Sequence, residues 1–80
     1  MPRNESYVLE RAKVFQSLQM FEQAIDDYTT ILNINPHNPK VLFRRGFAYK
    51  AIKKYQDAIV DFAKAKSMDP ANARFNINHK

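Results

Sequence analysis

Lys40, Phe43, Arg44, Phe47 and Lys50 are the residues of this chain whose types and spacing best suit them to chemistry. Steps of three, one, three and three put all five on one face of a helix. Cations on such a face make strong charge-assisted hydrogen bonds to carboxylates, and arginine can offer two parallel ones. The phenylalanines between them would add apolar contact to a bound segment. The competing reading is that Phe43 and Phe47 pack against a neighbouring repeat of the same fold. Catalytic chemistry has little to stand on. His37 and His79 lie far apart, with no metal-ligand spacing, and there is no cysteine and no glycine-rich loop. Asp26 and Asp27 are adjacent, so on a helix they point to different sides and form no acid–base pair. The expectation is a chain that is not an enzyme and carries no metal or cofactor.

The elements that must hold that face emerge when the sequence is laid against itself at an offset of 34. Arg11 then falls on Arg45, Ala24 on Ala58, Ile25 on Ile59, Asp27 on Asp61, Pro36 on Pro70 and Asn38 on Asn72. Similar types coincide at Val8/Leu42, Phe15/Tyr49, Leu18/Ile52, Phe21/Tyr55, Tyr28/Phe62 and Ile34/Met68, and small residues at Ala12/Gly46. Residues 5–38 and 39–72 therefore read as two copies of one unit, with 73–80 as the start of a third copy or a capping helix. Apolar positions three and four apart trace two stripes per copy. In the first these are Val8, Ala12, Phe15 and Leu18, then Ala24, Ile25, Tyr28, Ile31 and Leu32. In the second they are Leu42, Gly46, Tyr49 and Ile52, then Ala58, Ile59, Phe62 and Ala65. The expected helices span 5–18, 22–34, 39–52 and 56–68. Pro36 stops the second, and Pro39 can open the third, where its missing N–H costs little. Ala12, Gly46, Ala24 and Ala58 would let paired helices approach, with aromatics filling the space around them, including Phe21 and Tyr55.

Composition narrows the class further. Eighty residues allow one small domain, and one glycine among them argues against a turn-rich β fold. No apolar run approaches a membrane span, and no hydrophobic signal region follows the N-terminus, which points to a soluble, cytoplasmic chain. The net charge of +5 is unevenly placed. Residues 5–38 carry two basic side chains against five acidic, whereas residues 39–72 carry eight basic against three acidic. The basic half suggests an acidic partner, although most of its lysines can be read as a solvated helix face.

Residues 5–72 resemble the tetratricopeptide repeat family. The second copy shows Leu42, Arg45-Gly46, Tyr49, Tyr55, Ala58, Phe62, Ala65 and Pro70 at that family's spacings. The first shows Val8, Arg11-Ala12, Phe15, Phe21, Ala24, Tyr28 and Pro36. Both depart from it at the usual tryptophan and at the usual leucine, where arginine stands. The resemblance implies an all-α fold of antiparallel helix–turn–helix repeats stacked as a right-handed α-solenoid, with about four helices and a short C-terminal one. It implies a protein-binding scaffold, co-chaperone-like, whose first helices line a concave groove. Carried over by position, that groove takes Lys13, Lys40, Phe43, Arg44, Phe47, Lys50 and Arg74 as its binding residues.

The partner so implied is another protein or an acidic peptide tail. A narrower form is a chaperone C-terminal tail held by a two-carboxylate clamp, for which Lys40 and Arg44 match the Lys/Arg pair. The preceding repeat should then offer asparagine where Glu10 stands, whose carboxylate would repel the ligand unless it pairs with Arg44. Two other readings remain: self-association through uncovered terminal helix faces, as a homodimer or by helix exchange, and RNA binding by the basic second copy, which the acidic first copy would interrupt. Membrane binding is not indicated.

Overall fold

The computed structural model describes residues 2–68, which form four α-helices: α1 Pro2–Ser17, α2 Phe21–Ile34, α3 Pro39–Ala51 and α4 Tyr55–Met68. The fold is all-α, as expected. α1 opens three residues earlier than the stripe suggested, and α1 and α3 each end one residue sooner, leaving Leu18 in the turn and exposed. The segment expected to open a third unit lies outside the described residues.

Both turns inside the helical pairs close in the same way. Gln19 and Lys53 adopt positive φ, 64° and 66°. The Met20 N–H donates to Phe15 O and the Lys54 N–H to Tyr49 O, at 2.8 and 2.9 Å, so the last carbonyls of α1 and α3 are satisfied. Between the pairs, Asn38 Oδ1 accepts from the Val41 N–H and Pro39 stands in the first turn of α3. Side-chain capping and a fixed proline φ thus begin α3 where Pro36 has ended α2.

α2 packs against both α1 and α3, and α4 packs against α3. Ala12, Ala24, Tyr28, Ile31, Leu32, Val41, Leu42 and Ala65 form the buried core, with Val8, Leu9, Phe15 and Met68 packed on its edge. Val41 and Ala48 are fully buried although neither belongs to the expected stripe of α3. A helix with neighbours on two sides buries more than one stripe. Tyr55, expected to fill space between the helices, is exposed instead, and Ile59, on the face of α4 that the sequence left at risk of exposure, is exposed as well, because among the described helices nothing covers that side of α4. Gly46 has the packing reason its type suggested: a Cβ there would lie 2.7 Å from Phe62 Cε1.

Candidate functional site

Each helical pair is locked by one ion pair. The Arg11 guanidinium donates to both Asp27 oxygens at 2.8 Å, and Arg45 donates to both Asp61 oxygens at 2.7 and 2.8 Å. Asp61 is 1% exposed. A buried carboxylate needs its charge compensated, and the planar guanidinium does so with two bonds. Each arginine also lies against an aromatic ring, Arg11 on Tyr7 and Arg45 on Tyr49. Hydrogen bonds donated to Asp27 and Asp61 raise the pKa values of Arg11 and Arg45. Arg45 also donates to Thr29 Oγ1 at 3.1 Å, which ties α3 to α2. From the sequence alone these arginines are departures from the family's usual leucine, and Asp27 and Asp61 are one of several matches between the two copies. The available signal was opposite charges recurring together, 16 residues apart, in both copies.

A second link joins the pairs. The buried Tyr28 hydroxyl donates to Gln16 Oε1 at 2.6 Å, and Gln16 Nε2 donates to the Arg44 carbonyl at 3.4 Å. Gln16 therefore braces α1 against α2 and α3, and the Arg44 backbone is fixed from below. Burial raises the Tyr28 pKa, and the nearby Arg44 cation works in the other direction.

Around that brace the structure gathers four of the seven expected residues. Lys40, Phe43, Arg44 and Phe47 line one open groove of about 350 Å³ on α3. Its floor is aromatic. Phe62 of α4 contacts Phe43 at a centroid distance of 5.8 Å and Phe47 at 5.2 Å, edge to face. Phe43 and Phe47 thus both pack on α4 of their own copy and keep exposed ring surface. Lys40 and Arg44 are exposed and make no ion pair with a carboxylate among the described residues. Lys50 is exposed in the last turn of α3, where a cation also suits the helix dipole. Lys13 is half-buried on α1 and engaged by Glu10 at 3.2 Å. Glu10 is therefore paired one turn along its own helix rather than with Arg44. Arg74 lies outside the described residues.

Among the described residues no group of histidine, cysteine or carboxylate side chains could hold a metal ion, and no helix is long and apolar enough to cross a membrane. Compared with known families, residues 39–72 match the tetratricopeptide repeat. None of the curated proteins matches the chain.

Proposed function

We propose a binding module that takes an extended acidic segment of another protein across α3, in a chain whose residues 39–72 match the tetratricopeptide repeat, a family generally made of protein–protein interaction modules. The observation that carries this reading is the groove of Lys40, Phe43, Arg44 and Phe47, a pair of phenylalanines with two cations on the adjoining ridge of α3. Carboxylates of a bound segment would meet Lys40 and Arg44, and an apolar side chain would rest on Phe43 and Phe47. Lys50, exposed in the last turn of α3, would extend the positive field along the same helix. A clamp specific for a C-terminal carboxylate, as on a chaperone tail, fits less well, since Glu10 puts a carboxylate where that clamp needs a neutral donor.

The family is typically non-enzymatic, which supports a scaffold role. RNA is the less favoured ligand. A polyanion would follow a long basic track, and the carboxylates of the first pair interrupt it. The test is fluorescence anisotropy with short acidic peptides, with and without one aromatic residue, against wild type and the double variant Lys40→Glu, Arg44→Glu. Losing both charge contacts should weaken binding at least about tenfold, or ~1.4 kcal/mol. Equal affinity for the two proteins would remove the groove from the mechanism.

A further inference from the structure

Cation and aromatic alternate along the exposed side of α3, in the order Lys40, Phe43, Arg44, Phe47. Rows of residues four apart form ridges on a helix, so Lys40 and Arg44 share one ridge and Phe43 and Phe47 share the next. With a rise of about 1.5 Å per residue, Phe43, Arg44 and Phe47 stand about 4.5, 6 and 10.5 Å along the axis from Lys40. An extended chain sends successive side chains to opposite sides at about 3.4 Å per residue, so the three residues after its first stand about 3.4, 6.8 and 10.2 Å on. The two series agree to within about 1 Å. Alternate residues of an extended segment laid along α3 therefore meet alternate ridges.

The repeat does not impose this order. At the matching positions α1 carries Ser6, Leu9, Glu10 and Lys13, and its Glu10 and Lys13 are paired with each other at 3.2 Å. On α3 neither Lys40 nor Arg44 has a carboxylate partner among the described residues. Both ridges are also held in place from neighbouring helices. Phe62 of α4 packs on the Phe43 and Phe47 rings, and Gln16 of α1 donates to the Arg44 carbonyl. The groove of about 350 Å³ takes in side chains rather than a helix about 10 Å across.

We propose that the segment bound in this groove is extended and alternates acidic with apolar residues, each carboxylate facing Lys40 or Arg44 and each apolar side chain facing Phe43 or Phe47. This pattern deepens, and depends on, the reading of the groove as a site for an acidic segment. Recognition then comes from the order of residues rather than from net charge. A segment of the same composition with its acidic residues together sets one carboxylate and one apolar side chain on the wrong ridge in every register.

Peptides capped at both ends, identical except for a core of Glu-Phe-Glu-Phe or Glu-Glu-Phe-Phe, test this by fluorescence anisotropy. Wild type should bind the alternating core about tenfold more tightly, because the block core loses one charge contact and one apolar contact. The double variant Phe43→Lys, Arg44→Phe keeps two cations and two aromatics on α3 but changes their order, so it should prefer the block core. Circular dichroism checks that this variant keeps wild-type helicity, and the two peptides on wild type decide the question without it. Equal affinity of wild type for the two cores would overturn the pattern and leave acidic-segment binding standing. A folded double variant that still prefers the alternating core would overturn the pattern as well. No binding of either core would remove both readings.

Discussion

The two helical pairs share a frame and differ in what lies over it. Ile25 is 9% exposed and its counterpart Ile59 is 61% exposed. Tyr28 is fully buried, whereas Phe62 at the matching position is half-buried and packs against the rings of Phe43 and Phe47. The first pair has α3 on its outer side, and no described helix does the same for the second. One repeated pattern thus yields a core side chain in one copy and an exposed or half-buried one in the other. The polar frame, Arg11–Asp27 against Arg45–Asp61, is common to both. It holds each pair of helices together whichever way the outer face is used.

Removing the aspartates should expose this common frame most strongly. Asp61→Ala strands a largely buried arginine, and breaking such a pair typically costs about 3–5 kcal/mol. Asp27→Ala should cost less, because the Arg11 side chain is 45% exposed and can be rehydrated. Urea melts followed by circular dichroism would rank the two. Equal losses would mean that burial does not govern the pairs.

The small-residue position should respond next. Gly46→Leu drives a side chain into Phe62, and overpacking of this kind costs about 1–3 kcal/mol. Gly46→Ala should be far milder. Ala12 stands at the matching position beside buried Tyr28, and the half-buried Phe62 ring has room to yield. Thermal melts that place Ala and Leu together would contradict that difference.

Alkaline pH gives a subtler contrast. Burial raises the Tyr28 pKa above the ordinary tyrosine value, and Tyr49 shifts the same way for the same cause. The folded state then holds its phenolic protons more tightly than the unfolded chain. The stability linked to them is intact below the unfolded value of about 10 and is lost as pH rises through the higher folded value. Tyr28→Phe should flatten the fall in melting temperature between about pH 9 and 11. It should also lose the bond to Gln16, about 1 kcal/mol at neutral pH. An alkaline limb unchanged in the variant would assign it to other groups.

The smallest effects belong to the turns. Gln19 and Lys53 occupy the left-handed region without being glycine, at a cost of about 1 kcal/mol each. Gln19→Gly and Lys53→Gly should each stabilise by about 0.5 kcal/mol, after the extra freedom glycine gives the unfolded chain. Lowered melting temperatures would show that these side chains have native contacts that outweigh the backbone strain.

The repeat, the helix order and the aromatic-and-basic face of α3 could all be read from the sequence, because periodicity and proline placement are local properties. The ion pairs could not be recognised in the same way. Arg11 and Arg45 look like surface cations until the antiparallel turn brings Asp27 and Asp61 opposite them. The inward positions of Val41 and Ala48 were missed for a related reason, as they depend on α3 having α2 on one side and α4 on the other. Leu18 and Ile59 fit the apolar period and are nevertheless exposed. Periodicity shows which side of a helix is apolar, and only the stacking shows whether something covers it.

Amide chemical-shift mapping with an acidic, aromatic-containing peptide tests the central claim most directly. The proposed function predicts perturbations concentrated from Lys40 to Lys50, with Gln16 following through its bond to the Arg44 carbonyl. Perturbations centred instead on Ile59 and Val60, or none at saturating peptide, would contradict it.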